Sequence, residues 1–386
     1  MKANPGGLIA PADAVGRDEF VRGLWRSLER QSLVLTAERR IGKTTILIKL
    51  KAEAPRGVLC IHRDLESVRT PLEFVETVFR DVESHLTRVR RTAARTRRLF
   101  SNVAGAEIGE IKFPDSLAAH WKDLLTRTIE DLLESKEGRV VFLWDEIPMM
   151  LDNIKKTLGV AACMELLDTL RSIRQAHPPL RMVFTGSISL HNAIIALRRA
   201  GYSNDPTNDM DTIDVPPLEI QQATTLALKL FEGEALLFDE PELVARVIAK
   251  SVDGIPYFIH HVVESLVWSA GDRSLSAVDD LITACLTDPA DRWHLAHYRE
   301  RMEAYYEPRE RVLALALLDA LALTDKPIPF DRLFNLLKAR IRTDAHEPVR
   351  ETLLSLIRDH YVMQSVEGRY SFRFSLIRRW WRLNRG

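Results

Sequence analysis

Short, unbroken apolar runs punctuate the first 215 or so residues. They are Leu33–Thr36 (LVLT), Val58–His62 (VLCIH), Val140–Trp144 (VVFLW) and Arg181–Thr185 (RMVFT). Runs of this length without polar interruption suit parallel strands covered on both faces. Ile213–Val215 is a fifth, shorter candidate. Between the runs the apolar period changes to that of a helix. Phe20, Val21, Leu24 and Leu28 share one face, and so do Leu117, Trp121, Leu124, Leu125, Ile129 and Leu132, with Ser116 as the expected N-cap. Alternating β and α elements predict an α/β layer fold with a mostly parallel sheet.

After Pro216-Pro217 the strand signal stops. Residues 218–288 read as three or four helices, broken at Phe238–Pro241 and at Asp253–Pro256. Further on, helices near 309–322, 330–340 and 347–358 precede two short strands, 361–365 and 369–374, around the turn Val366-Glu367-Gly368. Three helices and a hairpin make the pattern of a winged helix. The expected division is an α/β core at 1–217, a helical segment at 218–290 and a winged-helix domain at 291–386. The core carries an Arg-rich insertion at about 84–115.

The sharpest chemical signal is Ala37-Glu38-Arg39-Arg40-Ile41-Gly42-Lys43-Thr44-Thr45, which lies between the strand LVLT and the helical stretch ILIKLKAE. Strand, loop and helix form the context a Walker A phosphate loop needs. Backbone N–H groups wrap the phosphates, and the helix N-terminus adds its partial positive charge. Lys43 is expected to reach the outer phosphates and Thr44 to offer its hydroxyl to Mg²⁺. Ala37 stands where a glycine is usual, a position more tolerant than that of Gly42, where the backbone must approach the phosphate closely. The second signal is the apolar strand VVFLW ending in Asp145-Glu146, the Walker B arrangement. Asp145 is expected to hold Mg²⁺ through water, and Glu146 to polarise the attacking water. The third is the strand end Thr185-Gly186-Ser187, where Ser187, with Thr185 second, is the candidate reporter of the γ-phosphate.

Composition narrows the partners. The chain has 386 residues, 46% hydrophobic and 28% charged, which is ordinary for a globular protein. Lys plus Arg and Asp plus Glu are 54 each, so any nucleic-acid surface must be local. Cys60, Cys163 and Cys285 lie far apart, which argues against a zinc site or disulfide framework and suits a cytoplasmic protein. No run approaches the ~18 apolar residues of a membrane span, and the N-terminus lacks an apolar stretch long enough for a signal peptide.

Val15-Gly16-Arg17-Asp18-Glu19, upstream of the phosphate loop, completes a set with ERRIGKT, FLWDE and the strand-end Gly-Ser. Together they resemble the AAA+ ATPases, more narrowly the archaeal-type predicted ATPase family, close to the origin-recognition and STAND branches. Asp253-Gly254-Ile255-Pro256-Tyr257 resembles that family's helical-lid segment. The resemblance implies strand order 5-1-4-3-2, with ATP between the α/β core and a lid at 218–290. It implies adenine contacts from Val15 and Gly16, a lid contact at Pro256, and an arginine finger at Arg198 or Arg199 that acts within a homo-oligomer. The lid segment Gly254–Glu264 contains no arginine, which favours a switch-like branch over lid-driven hydrolysis. His260 and His261 have no third ligand at metal spacing and read as structural.

Two basic segments remain. Leu86–Phe100 carries six arginines and no acid, and Tyr361–Gly386 carries six against the single acid Glu367, interleaved with Trp380 and Trp381. The tail could grip double-stranded DNA or dock on the ATPase core through stacked arginines and tryptophans; the first segment is either a solvated helix face or a basic arm for DNA or an acidic partner. Val103–Phe113 alternates in part, as a hairpin would. The presumed recognition helix balances Arg350 and Arg358 against Glu347 and Glu351, unlike a helix that reads a groove. The expectation is an ATP- and Mg²⁺-binding, ATP-hydrolysing AAA+/STAND-like protein that acts as a nucleotide-controlled switch or assembly factor. Its partner is either DNA or, in a signalling or defence switch, a protein bound by the winged helix.

Overall fold

The computed structural model describes residues 1–86, 115–186, 190–269, 274–341 and 344–385. The Arg-rich stretch, the candidate hairpin after it and Ser187 lie outside these residues. The chain divides into two compact units. One holds residues 17–36 and 43–215; the other holds 1–16, 37–42 and 216–386.

The first unit is a five-stranded parallel sheet: β1 (Ser32–Thr36), β2 (Val58–Asp64), β3 (Arg139–Asp145), β4 (Leu180–Phe184) and β5 (Met210–Asp214). The order is β2-β3-β4-β1-β5, which from the other edge is the expected 5-1-4-3-2. Val140–Trp144 of β3 are fully buried, as an apolar run covered on both faces should be. Trp144 stacks on Phe142 (centroids 5.0 Å apart) and Phe184 (6.0 Å) and meets Phe74 edge-on (5.1 Å). Among the described residues seven helices accompany the sheet: α1 (Asp18–Leu28), α2 (Lys43–Ala52), α3 (Pro71–Leu86), α4 (Trp121–Ser135), α5 (Ile147–Leu158), α6 (Val160–Ala176) and α7 (Leu190–Arg199). α1 buries Val21, Leu24, Trp25 and Leu28. The helix expected to open at Ser116 instead starts at Trp121, because a 3₁₀ turn, Asp115–His120, precedes it and His120 occupies the N-cap.

In the second unit, the described residues of 218–288 form four helices: α8 (Ile220–Gly233), α9 (Pro241–Ser251), α10 (Pro256–Trp268) and α11 (Leu275–Thr287). Asp253 (φ 51°) and Gly254 (φ 67°) end α9 in the left-handed region, and Pro256 opens α10. This is the usual division of labour between glycine and proline at helix ends. Then follow α12 (His297–Tyr305), α13 (Pro308–Ala322), β6 (Ile328–Pro329), α14 (Phe330–Lys338), α15 (His346–Arg358), β7 (Val362–Gln364), β8 (Arg369–Phe372) and α16 (Ser375–Arg385). The small sheet is antiparallel, ordered β6-β8-β7.

The basic tail is the helix α16. Leu376, Ile377, Trp380 and Trp381 form its buried face. Its arginines meet acids: Arg378 and Arg382 pair with Asp325 (3.4 and 3.7 Å), Arg379 with Asp279 (2.9 Å) and Arg385 with Asp319 (2.9 Å). Asp253 caps the helix, accepting from the Ser375 hydroxyl (2.6 Å) and the Leu376 amide (2.8 Å). No helix among the described residues is long and apolar enough to cross a membrane.

Burial pushes the imidazoles of His260 and His261 down to about 4 and that of His297 to about 3. His260 Nδ1 accepts the Asn4 amide (3.1 Å), which requires a neutral ring. In the unfolded chain these rings protonate near 6.5, so below that pH the unfolded state binds more protons. Stability is therefore undiminished by these groups above pH 6.5. It falls as pH drops from 6.5 towards 4, by about 1.4 kcal/mol per pH unit for each ring held neutral. Thermal unfolding followed by circular dichroism should show the midpoint falling through this window. A flat midpoint would contradict the buried, neutral assignment.

Candidate nucleotide-binding and catalytic site

The chain leaves β1 at Thr36, turns through Ala37–Gly42 and enters α2 at Lys43. Left-handed backbone occurs at Arg40 (φ 72°) and Gly42 (φ 98°), and Ala37 is not among the described residues with positive φ. An alanine therefore fits where a glycine is usual, whereas a side chain at position 42 would meet the steric penalty of that region. Ile41 is fully buried, Lys43 is buried and Thr45 half-buried; Thr44 and Arg39 are exposed. The first turn of α2 contains no acid, so no carboxylate of that turn opposes an anionic ligand at the helix N-terminus.

The Thr44 hydroxyl donates to Asp145 Oδ2 at 2.6 Å. Asp145 ends β3, is buried, and through Oδ1 accepts the Glu146 amide at 3.0 Å. A hydroxyl that gives its proton to a carboxylate keeps its lone pairs for a cation. Magnesium takes few protein ligands and fills its shell with water and phosphate oxygens, so a threonine hydroxyl backed by an aspartate fits it. No group of three or more metal-ligating side chains exists among the described residues.

Glu146 sits in left-handed backbone (φ 58°, ψ 34°) as the N-cap of α5. For a residue with a Cβ this costs of order 1–3 kcal/mol and is held by its surroundings. Here the Ile147 amide bonds to Thr185 O (3.1 Å), and the Met150 amide to Glu146 O (3.0 Å). The bend carries Glu146 towards the end of β4. A Cβ on Gly186 would lie 2.5 Å from Cδ of Pro148 and 3.4 Å from Glu146 Oε2. Thr185 is buried, and its hydroxyl has no hydrogen-bond partner among the described residues. It is the polar side chain the structure describes at that strand end.

Gly16 (φ 70°) abuts α8, where an added Cβ would lie 2.8 Å from Gln222; Val15 beside it and Pro256 at the start of α10 are half-buried. At the end of α7, Arg198 and Arg199 are exposed, and Arg198 pairs with Asp205 at 2.9 Å. Sequence reasoning treated Glu38 only as loop backbone. Its carboxylate is buried and pairs with Arg301 at 2.7 Å. The clue was electrostatic: an acid in a loop built for a polyanion needs its own cation.

Residues 26–194 match a family model described as an AAA domain. The whole chain is similar to the Walker-type ATPase PABY2304 of Pyrococcus abyssi, at 17% identity over 99% of this chain and 100% of that one, with a TM-score of 0.65. It is also similar to the ORC2 protein of Aeropyrum pernix, solved as ADPNP–ADP complexes, at 14% identity over 96% and 92%, with a TM-score of 0.56. No curated protein matches the chain. The matched segment contains the phosphate loop, both strand-end acids and four of the five parallel strands. Residues 26–194 thus match an AAA domain, and the chain has the fold of the Walker-type ATPase of Pyrococcus abyssi.

Proposed function

We propose that the protein binds ATP with Mg²⁺, hydrolyses it slowly, and uses the nucleotide state as a switch or assembly signal. The observation that carries this reading is the 2.6 Å hydrogen bond between Thr44 and Asp145, which joins the phosphate-loop helix to the strand-end acids. In this reading the backbone of residues 37–45 cradles the phosphates and Lys43 faces the β/γ oxygens. Thr44 and Asp145 hold Mg²⁺, which when bound neutralises charge on the phosphate oxygens. Glu146 orients and polarises the attacking water. Ser187 or Thr185 reports the γ-phosphate. Val15, Gly16 and Pro256 serve the adenine side. The chain is read as a core at 1–217, a lid at 218–290 and a winged helix at 291–386. The order helix, strand, helix, helix, hairpin over Pro308–Phe372 supports the last of these. The free cysteines support a cytoplasmic setting.

For the winged helix we favour a protein partner over double-stranded DNA. Arg369 pairs with Glu367, and the four arginines of α16 pair with Asp279, Asp319 and Asp325. Cations already neutralised within the protein contribute little to the counterion release that drives phosphate-backbone binding.

Arg198 or Arg199 would complete the ATP site of a neighbouring copy. Light scattering should then show larger species with ATP than without it. The Arg198→Ala/Arg199→Ala double variant should bind ATP yet hydrolyse it poorly. A protein that stays monomeric with ATP, at a specific activity independent of concentration, would contradict the assembly reading.

A further inference from the structure

Side chains with no part in the proposed chemistry fasten the phosphate loop. Glu38 has 0% side-chain exposure and Arg301 on α12 has 12%; they meet at 2.7 Å. The same Glu38 oxygen, Oε1, accepts the Arg39 amide at 2.8 Å, so the carboxylate is bolted to the loop backbone as well. Two residues on, Arg40 donates to the Trp293 carbonyl, and its guanidinium lies 4.1 Å from the ring centroid of Tyr257 on α10. On its other side, Arg301 lies 5.3 Å from the ring centroid of Tyr361, just before β7, and the Tyr361 hydroxyl donates to Tyr298 O at 2.7 Å. The neighbouring charges of Glu38 and Asp359 help hold Arg301 firmly protonated against its burial.

A carboxylate taken out of water is tolerated only when it is paired. One placed in a loop that receives a polyphosphate would also repel its ligand. Arg301 answers both problems, and its anchorage, with that of Arg40, fixes the loop between Ala37 and Gly42 without relying on the missing first glycine. A loop already in its binding shape loses less freedom when phosphate arrives. We infer that Arg301 is a positioning residue for nucleotide binding: acting through Glu38, it holds the phosphate loop in shape and couples nucleotide occupancy to α12 and the β7 hairpin. This rests on the reading of the loop as an ATP site. Coupling of this kind is reciprocal, so nucleotide must in turn stabilise α12.

The test is calorimetric titration of Mg²⁺-ATP into the full-length protein and its variants. Arg301→Gln should weaken binding by roughly 5- to 150-fold, the usual span of coupling between sites, and Arg301→Lys should weaken it less. The double variant Glu38→Gln/Arg301→Gln should bind more tightly than Arg301→Gln alone, because the stranded carboxylate is gone; a loss of packing alone would give no such rescue. Arg299→Gln, on the exposed face of α12, should bind like wild type. If Arg301→Gln does not fold, hydrogen exchange of the wild type decides: slower exchange of His297–Tyr305 on adding ATP supports the coupling, and unchanged exchange overturns it. Wild-type affinity in a folded Arg301→Gln, or single-variant losses that simply add, also overturns it. A wild type that binds no ATP defeats the functional reading instead; Lys43-dependent binding without any Arg301 effect defeats only the coupling.

Discussion

Glu146→Gln is expected to bind ATP with near wild-type affinity and to hydrolyse it at least about 100-fold more slowly, the scale of general-base assistance. Glutamine keeps the length and the hydrogen-bonding reach of the side chain but cannot draw a proton from water. The fold supplies the reason to single out this acid. Asp145 is already engaged, with one oxygen on the Thr44 hydroxyl and the other on the Glu146 amide. Glu146 is turned by its left-handed backbone to the strand end where Gly186 leaves no side chain in the way. The substitution leaves that backbone bend intact, so binding and hydrolysis should separate cleanly. Phosphate release measured at saturating ATP, beside an affinity measurement, checks both halves. Turnover at the wild-type rate in Glu146→Gln would move the base to another residue.

How much of this was legible in the sequence follows from where each signal came from. β1 to β4 were legible because an unbroken apolar run leaves a strand buried on both faces as the natural solution, and Val140–Trp144 are fully buried. β5 was placed at 213–215 and spans Met210–Asp214, because an edge strand alternates and its exposed positions, Thr212 and Asp214, dilute the run. α12 went unread. Its sequence HYRERMEAY offers few apolar positions, and what seats it is a buried arginine whose partner lies 263 residues away. In α16 the face formed by Leu376, Ile377, Trp380 and Trp381 has helical spacing, but the arginines between them left open whether they meet an external phosphate or the protein's own core. Their acids, Asp279, Asp319 and Asp325, are remote in sequence.

The site divides in the same way. Lys43, Thr44 and Asp145 were readable because strand, loop and helix in that order leave the chain few other geometries, and the hydrogen bond from Thr44 to Asp145 fits that reading. The bend at Glu146 was not readable, since nothing in Asp-Glu-Ile-Pro requires a left-handed residue; the contacts of Ile147 and Met150 impose it. Nor was the pairing of Glu38 with Arg301, although an acid beside two arginines in a phosphate loop already called for an explanation.

Lys43→Ala bears on the central claim, that Ala37–Thr45 is an ATP-binding loop. Lys43 opens α2, is buried, and follows the left-handed Gly42 directly. Its ammonium is the cation that the spacing assigns to the β and γ phosphates. The backbone amides and the helix terminus survive the substitution, so weak contact with an anion persists. The point charge that offsets a triphosphate does not, and ATP affinity is expected to fall below the range that titration detects. The decisive measurement is calorimetric titration of Mg²⁺-ATP into wild-type protein and into Lys43→Ala, with matched thermal unfolding to show that both are folded. Saturable binding to the wild type with no detectable heat from the folded variant is the result this account predicts. Equal affinity in the two proteins would contradict it.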